Sequence, residues 1–269
     1  MMDPAPGETR SLRSEPPAAT PPGAGKPKPL LDVHGLSRRF GGLDALKDVS
    51  VTVFEGEIFG LLGPNGAGKT IFQDCVSGAL RLTAGRVTFD GRDTTDWKPE
   101  RMCRVGLGRT FQIPRPFTRM TALENVRVAA QFGGERSSAK EAAARARECL
   151  RFVHFEQLPE TPMASLNAVQ LKRVDLARAL ASRPKLMLLD ELAAGLMTGQ
   201  LADLIGVIRR INAEGVTILM VEHILRTIVD LCSRVVVLQY GQKIAEGETG
   251  DVMRDPVVIE AYLGQKAAH

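Results

Sequence analysis

The sequence predicts an α/β fold in which a buried parallel core sheet carries an antiparallel β subdomain and an inserted α-helical subdomain. Three observations point there. The apolar run EIFGLL leads directly into GPNGAGKT, Gly63 to Thr70, and then into a segment able to form a helix. Two further apolar runs, KLMLLDE and VTILMVEH, end in polar residues and are separated by a helical stretch, the pattern of buried parallel strands joined by a crossover. Between the first run and these two lies AKEAAARARECLRFV, dominated by strong helix formers.

Residues 1–29, with PPAATPPGAGKPKP, hold almost no large apolar side chain, so nothing offsets the entropy of ordering them, and they are expected to be a disordered tail. The folded domain is expected over 30–265. It begins with LLDVHGL, then alternating Val49, Val51 and Val53, which read as antiparallel strands feeding EIFGLLG through a Glu55-Gly56 turn. A short strand at RVTF closes on Asp90-Gly91. The helical insertion is expected over roughly 113–182, where Leu171, Val174, Ala177 and Ala181 share one helical face. RVVVLQYGQKIAEGE reads as a closing hairpin, and 266–269 as a short tail.

With 269 residues, 44% of them apolar, the chain has ample material for a core. Its 35 Lys and Arg against 31 Asp and Glu leave +4, too mild and too free of aromatic interleaving to point to a nucleic-acid partner. Cys75, Cys103, Cys149 and Cys232 show no CxxC or metal-ligand spacing, which favours reduced thiols and a cytosolic setting. No apolar run approaches the roughly 18 residues that span a bilayer, so membrane association is expected only through a partner.

GPNGAGKT satisfies GxxxxGK[ST] between a strand and a helix. The chemistry follows from the residue types: glycines let the loop turn its N–H groups toward phosphate oxygens, and the following helix N-terminus adds partial positive charge. Gly63, Pro64, Asn65, Gly66, Ala67, Gly68, Lys69, Thr70 and Ile71 are therefore the candidate triphosphate contacts, with Lys69 neutralising phosphates and the Thr70 hydroxyl a ligand for Mg²⁺. Asp190, at the end of LMLLDE, can hold the metal through water; Glu191 can polarise an attacking water. His223 closes VTILMVEH, where a neutral imidazole can donate to a γ-phosphate. The plainer readings are a glycine-rich turn, a solvated strand end and a structural histidine.

The order GPNGAGKT, then GRTFQ ending in Gln112, a helical insertion, LNAVQ, LMLLDE and VEH resembles the ATP-binding subunits of ABC transporters, over residues 30–265. The resemblance implies a P-loop NTPase of ABC type that binds ATP with Mg²⁺. It places Phe40 of RRFGG on the adenine, where the alternative is a core phenylalanine. Gln112 would contact Mg²⁺ or the water from a loop coupled to a membrane subunit, where the alternative is a plain surface glutamine. RFGGLDAL, VGLGRTFQIPRPFTRMTALENV and DPVVIEAYLG look like the ATPases of branched-chain amino acid importers and of their relatives for amides and urea. Such subunits work as pairs beneath two permeases at the cytoplasmic face, with a solute-binding protein delivering cargo, so the implied partners are a second ATPase subunit and integral-membrane permeases.

In that family LSGGQ of one subunit closes over the other's nucleotide. LNAVQ keeps Leu166 and Gln170 but has Asn167, Ala168 and Val169 between them. Asn-x-x-Gln still suits a capping box, so the helix is expected to form, while the β-branched Val169 replaces a glycine that lets backbone approach phosphate. Ile71, Leu192, Met197 and Ile224 also depart from the family pattern. The expectation is an asymmetric subunit: its own site is complete, the surface it lends is impaired, and it needs a partner with an intact signature. The alternative is a non-hydrolytic ATP-binding regulatory subunit.

Overall fold

The computed structural model describes residues 28–134 and 137–263. The expected tails therefore lie outside the described residues, except at 28 and 29: the first strand starts at Pro29, one residue inside the span assigned to the tail. In chain order the elements are β1 (Pro29–Phe40), β2 (Leu43–Phe54), β3 (Ile58–Leu62), α1 (Lys69–Val76), β4 (Ala84–Phe89), β5 (Arg92–Asp93), α2 (Pro99–Arg104), β6 (Leu107–Arg109), α3 (Ala122–Phe132), α4 (Ala139–Phe152) and α5 (Ala168–Ala181). They continue with β7 (Leu186–Asp190), α6 (Thr198–Ala213), β8 (Thr217–Val221), α7 (Leu225–Leu231), β9 (Arg234–Gln239), β10 (Gln242–Glu248), α8 (Thr249–Val252) and α9 (Pro256–Leu263).

Two sheets result, one in the order β2-β1-β4-β5 and one in the order β10-β9-β3-β8-β7-β6. The first is antiparallel throughout. In the second, β9, β3, β8, β7 and β6 run parallel and only β10 is antiparallel. The hairpin at 234–248 is present, with Tyr240 and Gly241 both at positive φ in a two-residue turn, and its first strand also extends the core sheet. The three-residue strand β6 is hidden inside VGLGRTFQ, too short for its alternation to register.

Every residue of β3, β7 and β8 is buried, and alternate residues go to opposite faces. Leu62, Leu189 and Met220 join a core formed with the helices; Phe59, Leu188 and Val221 join one formed with the antiparallel sheet and α1. Losing one such leucine to alanine costs on the order of 2–5 kcal/mol. Sandwiching the sheet on both faces leaves the carboxyl ends of its strands as the open edge, where the candidate residues cluster.

Between β6 and β7 lie α3, α4, a single 3₁₀ turn at Met163–Ser165, and α5. Each of the three helices starts with a capping box, Thr121 with Glu124, Ser138 with Glu141, and Asn167 with Gln170. Small buried residues of α4, Ala142, Ala146 and Cys149, allow close packing against its neighbours. Cys75, Cys149 and Cys232 are buried free thiols and Cys103 is half-buried.

Candidate functional site

The turn after β3 forms the floor of the site. Gly63, Gly66 and Gly68 all have positive φ, at 144°, 78° and 101°. A Cβ on Gly63 would lie 2.1 Å from the Leu238 carbonyl oxygen, and one on Gly68 would lie 2.8 Å from that of Ala45. No other residue fits either position. Pro64 and Ala67 are buried, while Asn65 and Gly66 face solvent at the loop's tip.

Lys69, the first residue of α1, is 6% exposed and donates through Nζ to the carbonyls of Gly63 (2.6 Å) and Pro64 (2.9 Å). Burial lowers its ammonium below the usual lysine range, opposed by the charges of Glu191 and Asp190. The cation is thus held across the loop by oxygen acceptors of the kind a phosphate would present. Thr70 is exposed at the start of α1, whereas the side chain of Ile71 packs against the core, leaving only its backbone for a ligand.

Facing the loop, β7 delivers Asp190, which is 3% exposed. Burial raises its carboxyl above the usual value and the Arg109 guanidinium opposes that shift. Glu191 follows at φ 46°, a conformation that turns its side chain out of the strand direction. Gln112 Nε2 donates to Glu191 Oε2 at 2.6 Å, and His223 Nε2 bonds to Oε1 of the same carboxylate. Three residues distant in sequence therefore meet on one carboxylate. Thr70, Gln112 and Asp190 also line a single cleft of about 830 Å³ between the core and the inserted helices.

No group of three or more His, Cys, Asp or Glu able to hold a metal occurs among the described residues. Mg²⁺ keeps several waters and takes one or two protein ligands together with phosphate oxygens, a demand that the Thr70 hydroxyl and the Asp190 carboxylate, which line one cleft, can meet. Phe40 is 44% exposed at the end of β1 and is not a core side chain. The Arg38 guanidinium lies 4.4 Å from its ring centroid, so one ring face is covered.

Asn167 and Ala168 are exposed at the start of α5, and the capping box is made by Asn167 Oδ1 accepting from Gln170 N–H (3.0 Å) and Gln170 Oε1 accepting from Asn167 N–H (2.9 Å). Val169 is half-buried. It lines a cavity of about 10 Å³ together with Leu192 and Leu196 of the segment after Glu191, so two departures from the family pattern meet in one place.

Several supporting residues escape a reading of the sequence. Lys172 Nζ donates to the carbonyls of Glu191 (3.2 Å), Leu192 (3.1 Å) and Ala194 (2.6 Å), tying α5 to the segment that carries Glu191. Glu222, 3% exposed, accepts from Ala193 N–H at 2.8 Å on the same segment. Arg109 bridges β6 to α1 through Asp74 (2.6 Å) and Ser77 (3.0 Å). Only Glu222 carried a signal, an acid ending an otherwise apolar strand; the others act through contacts that spacing does not encode.

A family model described as "ABC transporter" matches residues 46–194, and one described as "Branched-chain amino acid ATP-binding cassette transporter" matches 242–268. The probable branched-chain amino acid transport ATP-binding protein LivG of Archaeoglobus fulgidus is 36% identical over 245 residues, covering 87% of this chain and 95% of that one. The high-affinity branched-chain amino acid transport ATP-binding protein BraF of Pseudomonas aeruginosa is 34% identical, covering 88% and 99%. Among solved structures, the ADP conformation of an ATP-binding cassette of an ABC transporter superposes with a TM-score of 0.80 at 32% identity, covering 88% of this chain and 99% of that one.

Proposed function

The chain belongs to the ABC transporter ATP-binding family, and on that premise we propose that it binds MgATP in the Gly63–Thr70 loop and hydrolyses it to energise an importer of branched-chain amino acids. The meeting of Gln112, Glu191 and His223 at the mouth of that loop carries the hydrolytic part of this reading. The relatives named for branched-chain amino acid transport support the cargo.

The loop N–H groups and Lys69 bind the phosphates, with Lys69 exchanging its loop carbonyls for phosphate oxygens. Thr70, Asp190 and Gln112 would hold Mg²⁺, directly or through water, and the metal would neutralise charge on the phosphates. Glu191 takes a proton from the water that attacks the γ-phosphorus as the bond to the β-phosphate oxygen breaks and ADP leaves; Gln112 orients its carboxylate, and the single N–H of the neutral His223 imidazole turns from that carboxylate to the γ-phosphate when nucleotide is bound. Phe40 offers its uncovered face to adenine. Ile71 contributes its backbone N–H.

The family works as dimers with membrane permeases, and this chain docks from the cytoplasmic face through them. No helix among the described residues is long and apolar enough to cross a membrane. The start of α5 is the surface lent to the partner's nucleotide, and with Val169 and Asn167 in place of glycine and serine it makes a poorer lid. A second ATPase subunit with an intact signature then completes this chain's own site. Single-turnover hydrolysis in the assembled complex, with and without Glu191→Gln, tests the assignment: loss of turnover at one of two sites supports it, and no effect leaves a regulatory ATP-binding subunit.

A further inference from the structure

Gly63 is fixed from three directions, and one of them comes from the far end of the chain. Its N–H donates to the Tyr262 hydroxyl at 2.8 Å, across 199 residues of sequence. Its carbonyl accepts from Lys69 Nζ at 2.6 Å. Its α-carbon is pressed so closely on the Leu238 carbonyl that a Cβ would sit 2.1 Å away. Tyr262 and Lys69 thus hold Gly63 through its two flanking peptide groups, the first by its N–H and the second by its carbonyl.

We infer that Tyr262 is a positioning residue of the phosphate loop and that α9 is coupled through it to nucleotide binding. The inference rests on the phosphate-loop reading above. When Lys69 turns from the Gly63 and Pro64 carbonyls toward phosphate, Gly63 loses the cation on its carbonyl, and the Tyr262 hydroxyl remains to hold the residue that joins β3 to the loop. The phenol is half-buried, and burial raises its pKa, so it keeps its proton at neutral pH.

The helix itself is lightly attached. Val258 and Ala261 are its buried apolar side chains, while Val257 and Ile259 are 53% and 44% exposed, and Asp255 caps it by accepting from Val257 N–H at 2.8 Å. A helix docked by two buried apolar side chains and the partly buried Tyr262 ring gains measurably from one part-buried hydrogen bond. Coupling between two binding equilibria is reciprocal, so a loop that is better ordered with nucleotide docks α9 more firmly, and a docked α9 favours nucleotide.

The test uses the full chain and the magnesium complex of a non-hydrolysable ATP analogue. Tyr262→Phe removes only the hydroxyl and is expected to weaken analogue binding about 3- to 10-fold. Hydrogen exchange over residues 256–262 is expected to slow on analogue binding in the unaltered chain and to be indifferent to it in the variant, a difference that simple loss of packing would not produce. Lys69→Ala serves as the control for the loop. If the unaltered chain fails to bind the analogue, the phosphate-loop reading itself falls; if it binds and Tyr262→Phe binds equally well, or α9 of the variant still gains protection, only the coupling is overturned.

Discussion

Gln112 and Glu191, 79 positions apart, meet through a 2.6 Å hydrogen bond, with His223 on the second carboxylate oxygen. The amide comes from the loop leading to the inserted helices and the acid from the core sheet, so this bond joins the two halves of the cleft. Because both oxygens of the acid are oriented, its removal should act on chemistry more than on binding. Glu191→Gln is expected to lower ATP turnover by about 10²- to 10⁴-fold while changing MgATP affinity less than about threefold, by rapid-quench and equilibrium binding assays. A variant retaining more than a tenth of the turnover contradicts the assignment of Glu191 as the base.

Lys69 is a buried cation satisfied by two loop carbonyls, an arrangement suited to capturing phosphate and costly to the free fold. Lys69→Met keeps the aliphatic length and discards the charge. Its melting temperature without nucleotide is expected to equal or exceed that of the unaltered chain, while the rise produced by MgATP disappears. A retained nucleotide-induced rise would show that Lys69 does not bind phosphate.

The turn from Glu191 to Ala194 is clamped by Lys172 from one side and Glu222 from the other. Burial pushes the Glu222 carboxyl from 4.5 up to about 7, against the opposing effects of the Ala193 N–H and the Lys172 charge. A carboxyl whose folded pKa exceeds its unfolded one binds its proton more tightly in the fold. Its contribution is therefore full below the unfolded value and is lost as pH rises through about 7. Glu222→Gln keeps an acceptor for Ala193 N–H and cannot ionise. Relative to the unaltered chain, its stability should climb between pH 5 and pH 8, by up to about 3 kcal/mol. Denaturant unfolding across that range gives the answer, and a difference independent of pH would sink the prediction.

How much of this was legible in the sequence depends on the range of the interaction. GPNGAGKT encodes its loop locally, because positive φ at Gly63, Gly66 and Gly68 needs glycine whatever surrounds it. The strands β3, β7 and β8 were visible as unbroken apolar runs, a consequence of burial on both faces. The capping box at Asn167 was likewise readable from four adjacent residues. By contrast, β6 is too short to show a period, and nothing near Tyr262 or Lys172 in the chain announces that one reaches Gly63 and the other the carbonyls after Glu191. The half-buried seat of Val169 beside Leu192 also required the fold.

On the proposed reading this chain's own nucleotide site is complete and the lid it lends is not. Restoring serine and two glycines by Asn167→Ser, Ala168→Gly and Val169→Gly measures that claim directly in steady-state ATP turnover of the purified chain. Regaining a charge-assisted hydrogen bond of roughly 1.5–3 kcal/mol predicts a rise of at least about tenfold over a slow unaltered chain. Fast turnover by the unaltered chain, or no gain in the triple variant, would contradict it.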